Sequence, residues 1–305
     1  MSINEPSDFG APPDSRWMVR GSADDPSALL RRAAEVLDSL AVGGAVNGIT
    51  LDRDGDEVVL SVVFDHWQLP ADLDYLDPRV AAEYHFGEAQ RDDIDFMVAL
   101  AAQLDAHTVL DFGCGTGQLA VELAQSGRRV IGVDPAKAML DLARTRERAK
   151  LVEWIWGDVR ALDARDLDLV VMTGNIPSNY VTDEAWDELV GALHAALRDG
   201  GHLALGSWNP EARWEKWRSD GVAVVPAGDG GARVGGGGPA RGPGMELADG
   251  RERLYAPSVW RYRTAEELTA SLTRAGFVVE QTYGDWGRSP LTPSSPDVVL
   301  VARRS

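Results

Sequence analysis

The stretch VLDFGCGTGQLAVELAQSGRRVIGVD, residues 109–134, constrains this chain more than any other. A β-rich run (108–112) meets glycines at positions 113, 115 and 117, and a helical run follows to Gln125. Ser126-Gly127 ends that helix, and a second apolar run (130–133) closes on Asp134. The pattern predicts a β-loop-α-β unit with an acid at the tip of its second strand. In open α/β sheets ligands sit outside the carboxyl ends of the strands, where glycines let them approach the backbone. The helix that begins near Gly117 points free N–H groups and its positive dipole end into that crevice. A carboxylate at Asp134 can accept both hydroxyls of a ribose.

Two ligand classes use such a pocket, dinucleotides and S-adenosylmethionine (SAM), and the glycine spacing separates them. A dinucleotide turn of the form G-x-G-x-x-G would need its third glycine at position 118, where Gln118 stands instead. Asp111, two residues before the first glycine, would sit badly beside a pyrophosphate and suits a ligand carrying an ammonium and a sulfonium. With these residues in view, the segment DFGCGTG resembles motif I of class I SAM-dependent methyltransferases of the small-molecule type, and Asp134 resembles the acid of the next motif. The similarity runs from about Tyr75 to the C-terminus.

The resemblance implies a doubly wound, Rossmann-like α/β fold with a seven-stranded sheet and a terminal antiparallel hairpin. It also implies S-adenosyl-L-methionine as cofactor. The residues expected around it are Tyr84, Asp111, Gly113, Cys114, Gly115, Gly117, Asp134, Met139, Asp158, Val159 and Thr173. Asp134 would serve the ribose, Asp158 the adenine amine and Met139 the adenine face. In similar enzymes the segment ahead of the first strand folds over the cofactor, and Tyr84, with Tyr75 or His85 as alternatives, matches an aromatic there. Cation–π attraction gives an aromatic beside a sulfonium a physical rationale. The alternative is that Tyr84 and Phe86 are core residues of a lid helix. Cys114 reads as a small side chain in a tight turn, not a nucleophile.

Charge and cysteine content narrow the partners. Forty-eight acidic against 30 basic residues give a formal net charge of −18, and no Lys/Arg-rich run appears. That argues against nucleic acid as the substrate and leaves a small-molecule acceptor. A single cysteine excludes an internal disulfide and fits a reducing cytoplasm. The first residues lack a signal pattern and no apolar run approaches the ~18 residues that span a bilayer, so a cytoplasmic protein without a membrane partner is expected.

Taken in order, residues 1–24 are rich in Pro, Asp, Ser and Gly and read as a disordered tail. Residues 25–70 read as an appendage: a helix from Ser27 to about Leu40, then two strand runs joined through Asp54-Gly55 as a β-hairpin. It is expected to dock on the main sheet or on a second copy of the chain in a homodimer. Residues 71–305 read as the methyltransferase domain, with five alternating β/α units, an insertion at 208–260 and a late strand pair. Thr264 and Glu267 have capping-box spacing, and His194 reads as a solvated helix residue. The insertion is glycine-rich, and both a mobile lid and a partly disordered cap fit its composition. Trp208 and Trp214 either wall an apolar acceptor or only pack the cap.

The loop after the fourth strand, residues 173–180, flanks the transferred methyl in the resembling family. It lacks the Asn/Asp-Pro-Pro-aromatic signature of amine-modifying members, and Thr-Gly-Asn stands where catechol-type members put a metal-binding Asp, so no metal is expected. His85, Asn175 and Tyr84 are the candidate bases, needed only where the nucleophile arrives protonated. Two rivals remain: a SAM-binding protein of the same fold without methyl transfer, such as a cyclase or regulatory module, and a dinucleotide oxidoreductase.

Overall fold

Strands buried on both faces read as near-continuous apolar runs, and here Val109, Leu110 and Phe112 are buried, with Asp111 the one acid buried among them. The computed structural model describes residues 15–22, 27, 29–31, 34, 46–54, 57–64, 78–86, 91–213, 223–226, 232–236, 245–246, 253–255 and 258–305. In chain order the elements are β1 (Ser15–Ser22), β2 (Val46–Asp54), β3 (Glu57–Phe64), α1 (Pro78–Phe86), α2 (Asp92–Gln103), β4 (Thr108–Phe112), α3 (Gln118–Gln125), β5 (Arg129–Asp134) and α4 (Lys137–Ala143). There follow β6 (Val152–Trp156), β7 (Leu167–Met172), α5 (Asp183–Ala196), β8 (Leu197–Trp208), β9 (Ala223–Pro226), β10 (Ala232–Gly236), β11 (Met245–Glu246) and β12 (Arg253–Tyr255). The chain closes with β13 (Ser258–Tyr262), α6 (Ala265–Arg274), β14 (Phe277–Tyr283) and β15 (Asp297–Arg304).

Seven strands form the main sheet in the order β14-β15-β8-β7-β4-β5-β6. The five from β6 to β8 pair in parallel, and β15 is antiparallel to both neighbours, as the late hairpin predicted. The order reverses between β4 and β7, so a switch-point crevice opens beyond Phe112 and Met172. One face packs Leu110, Ile131, Val170 and Leu203 with Trp186 and Leu193 of α5 and Leu272 of α6. The other packs Val109, Val130 and Val171 with Met97 and Leu100 of α2 and Leu123 of α3. Alternation of side chains along each strand sends successive residues to opposite layers.

Close approaches set the exceptions to that pattern. A Cβ on Gly132 would lie 2.7 Å from the Trp154 ring, and one on Gly206 would lie 2.2 Å from Trp286. Both strands therefore carry glycine where an indole covers the sheet. His194, expected in solvent, is instead partly buried, its ring edge-on to Phe277 at 5.0 Å between centroids.

The N-terminal region departs from expectation. Residues 15–22, placed by composition inside a disordered tail, form β1, antiparallel to β3 and to β12. The hairpin of β2 and β3 forms, but not as a separate appendage: with β1, β11 and β12 it makes one five-stranded sheet in the order β11-β12-β1-β3-β2. The partner that orders β1 lies in the insertion, where Met18 is opposite Tyr255, and local periodicity cannot report a pairing that distant. Within the insertion, β9 and β10 join β13 in a three-stranded sheet, so its described residues from 223 on are strands despite their glycine content. Of the helix expected from Ser27, the described residues 27, 29–31 and 34 are helical.

The capping box at α6 is formed: the Glu267 amide donates to Thr264 Oγ1 at 3.2 Å, and the Thr264 amide donates to Glu267 Oε2 at 2.7 Å. Replacing Thr264 with Ala removes one half of it. Denaturant unfolding should show a loss of about 1 kcal/mol with an unchanged m-value.

Candidate active site

Three left-handed glycines make the turn after β4. Gly113, Gly115 and Gly117 have φ of 75°, 54° and 79°, a region that costs other residues roughly 1–2 kcal/mol each. The turn is tied to β5: the amides of Gly113 and Cys114 both donate to the Val133 carbonyl, at 2.8 and 3.0 Å. A Cβ on Gly113 would strike Ile176, and one on Gly117 would strike Trp154 and Ala143, so these two are glycine for packing as well as for φ. Gly115 differs, since a Cβ there meets nothing within 4 Å. The space above Gly115 is open.

Asp134 closes the loop from the neighbouring strand. Its Oδ2 accepts the Gly115 amide at 2.8 Å and its Oδ1 the Ala136 amide at 2.8 Å. Burial raises its pKa to about 6 against those two stabilising amides. Asp111 is more enclosed, 1% exposed, and its pKa is pushed up to about 7 by burial. Arg91 opposes that shift, and the nearby charges of Asp134 and Asp93 reinforce it. Asp111 Oδ2 has no hydrogen-bond partner, and neither has Gln118 Oε1 at the head of α3. Two buried acceptors without donors, both beside the glycine turn, are what a cationic ligand group with several N–H donors would satisfy.

Further along the rim, Asp158 caps the turn 159–161 through the Arg160 amide at 2.9 Å, and its carboxylate is paired with the Arg160 guanidinium. Any adenine amine reaching Asp158 must share it with Arg160. Val159 is partly buried against the core beside it, and Met139 is buried on α4. Cys114 is buried in the turn and burial pushes its thiol pKa up, which fits a packing role. Tyr84 and His85 lie on α1, which packs against α4, but their side chains fall outside the described residues, as do Tyr75 and Trp214.

After β7, Thr173 is buried and Gly174 and Asn175 are both left-handed, at φ 64°. Asn175, expected as a catalytic group, is a brace: its Oδ1 accepts the Trp208 amide at 2.6 Å, and its carbonyl accepts the Ser178 amide and hydroxyl. One of the two acceptor positions of Oδ1 is thereby committed to a backbone donor. Arg263, 3% exposed, fixes the same loop by donating to the carbonyls of Tyr180 at 2.9 Å and Thr182 at 3.1 Å. Burial lowers its pKa to about 10. Arg146 holds the glycine turn from the other side, donating to the carbonyl and hydroxyl of Thr116. Sequence reasoning missed both arginines, because each acts on a loop far from it along the chain.

The comparisons with known proteins meet this geometry. Residues 109–201 match the family model described as "Methyltransferase domain". The chain also aligns with SAM-bound CalS10 from Micromonospora echinaspora, an amino pentose methyltransferase, at 26% identity and TM-score 0.51, covering 74% of this chain and 95% of that one. Residues 109–201 thus carry a methyltransferase domain, on a fold shared with SAM-dependent methyltransferases. Its sheet is shared with the CcbJ methyltransferase from Streptomyces caelestis at TM-score 0.59 and 23% identity, over 74% of this chain and 96% of that one. Among curated relatives, the cypemycin N-terminal methyltransferase of a Streptomyces sp is 32% identical over 123 residues, 40% of this chain and 50% of that protein. A malonyl-[acyl-carrier protein] O-methyltransferase of Yersinia pestis is 32% identical over 94 residues, 31% of this chain and 34% of that protein. The chain thus spans half or less of the length of these two relatives. The cofactor of this methyltransferase family is S-adenosylmethionine, and the open Gly115, the unpartnered Asp111 and Gln118 oxygens and the acid at Asp134 fit it.

The glycines make separable predictions. Gly115→Ala should weaken SAM binding by at least about tenfold in calorimetry while costing only the roughly 1–2 kcal/mol of a left-handed alanine. Gly117→Ala, whose Cβ would meet Trp154 at 2.4 Å, should cost more in denaturant unfolding than Gly115→Ala does.

Proposed function

We propose that this protein transfers the methyl group of S-adenosylmethionine to a small-molecule acceptor. The observation that carries the reading is the pair of buried, donor-less oxygens at Asp111 and Gln118 beside an open glycine turn. The bound cofactor supplies a sulfonium methyl electrophilic enough to be displaced directly, so the protein's task is positioning and water exclusion. In this reading Asp111 and Gln118 receive the ammonium of the methionine end and the glycine-turn amides lie along it. Asp134 receives the ribose hydroxyls through lone pairs left over from its two amide bonds. Asp158 and the Val159 amide meet the adenine edge, with Met139 behind the ring and Thr173 at the floor.

No general base is assigned. The acceptor nucleophile is delivered unprotonated to the rim between Thr173 and Trp208, and α1, carrying Tyr84 and His85, covers the cofactor as it packs on α4. In this reading the three-stranded sheet of β9, β10 and β13, whose β13 packs against the 176–179 turn, is the acceptor-side cap.

Two measurements test this. Asp134→Ala should abolish calorimetric SAM binding while the circular dichroism spectrum is kept, and the wild-type protein with an acceptor should form S-adenosylhomocysteine; unchanged affinity removes the ribose assignment. Affinity should also follow pH. A proton on Asp111 competes with the ligand cation, so with its pKa near 7 the SAM affinity should fall about tenfold per pH unit below about 7. Asp111→Asn should flatten that dependence at the lower plateau.

A further inference from the structure

At the carboxyl end of β8 an aromatic stack stands beside the 173–180 loop. Trp208, 37% exposed, lies nearly parallel to Tyr262, with centroids 5.8 Å apart and planes 9° apart. The guanidinium of Arg213 sits over the Trp208 ring, 4.3 Å from its centroid. Asn175 fixes the height of this shelf through the Trp208 amide, so it abuts the loop that follows Thr173. The three residues come from β8, from the helical turn 210–213 and from β13.

Arg213 is unlike the other arginines of the rim. Arg263 is engaged by carbonyls and the Asp183 carboxylate and Arg160 by Asp158, whereas the Arg213 side chain donates no hydrogen bond to any described residue and its Nε is enclosed without a partner. Asp297, opposite Trp208 in the sheet, feels its charge yet forms no ion pair with it. Stacking occupies the face of a guanidinium and leaves its in-plane N–H fork, whose geometry matches a carboxylate. In a chain with a net charge of −18, a cation with no ion-pair partner among the described residues also selects by sign at the acceptor rim.

We propose that Arg213, laid on the Trp208–Tyr262 shelf, receives a carboxylate of the acceptor, so that the methylated small molecules are carboxylate-bearing compounds with a flat or apolar body. The inference rests on the methyl-transfer reading for the identity of this rim as the acceptor side. It assigns Trp208 both of the roles left open by sequence: it packs the cap through Tyr262 and presents its edge to the acceptor.

The test uses benzoate and its neutral isostere benzamide as probes of the full-length protein loaded with S-adenosylhomocysteine. The indole N–H resonance of Trp208, assigned by its loss in Trp208→Phe, reports binding. Benzoate should shift that resonance with about tenfold higher affinity than benzamide, the ratio should fall to near one in Arg213→Gln, and Arg213→Lys should restore part of it. S-adenosylhomocysteine affinity, measured by calorimetry on the same samples, should not change. Equal affinities of the two probes for the wild-type protein, or no shift with either, overturn the assignment whether or not the variants fold. Failure to bind S-adenosylhomocysteine at all would instead overturn the methyl-transfer reading beneath it.

Discussion

A carboxylate oxygen buried without a donor is costly, and the structure keeps one at Asp111 Oδ2. Its position is forced from both sides: β4 must be buried to seat the sheet, and Asp111 is part of β4. The raised pKa shows the cost being avoided by a tendency to hold a proton. A ligand cation can replace that proton and regain the interaction. The left-handed glycines, the tie from Val133 and the Arg146 clamp on Thr116 hold the shape of the turn that follows Asp111. Stability is thus traded locally for a prepared charge site.

What the sequence disclosed was contiguous in the chain. The strand, the three glycines, the helix and Asp134 fall within one short segment, so their spacing alone implied the turn and the acid at the strand tip. The capping box at Thr264 was legible for the same reason, since its two residues are three apart. Asp158 was legible as a strand-tip acid, but spacing alone does not show that Arg160, two residues on, pairs with it and alters what it offers a ligand.

What stayed hidden was assembled across distance. Strand β1 looks disordered until β12 is beside it. Arg263 shapes the 177–182 loop from the far end of the insertion, and Asn175 reads as a catalytic amide until the Trp208 amide is found on its oxygen. The aromatic shelf with Arg213 joins three segments, two of them flanking the insertion, and periodicity carries no signal for such a meeting. The residues proposed for the cofactor are close in the chain, whereas those proposed for the acceptor meet only in the tertiary structure, which is why the first set was readable and the second was not.

The most direct test of the buried-acid cradle is the electron density of the protein crystallised with S-adenosylhomocysteine. The amino nitrogen of the ligand should lie within hydrogen-bond distance of Asp111 Oδ2, with the ribose hydroxyls on Asp134 and no side chain between the ligand and Gly115. A ligand seated elsewhere, or seated here with Asp111 Oδ2 still lacking a donor, would contradict it.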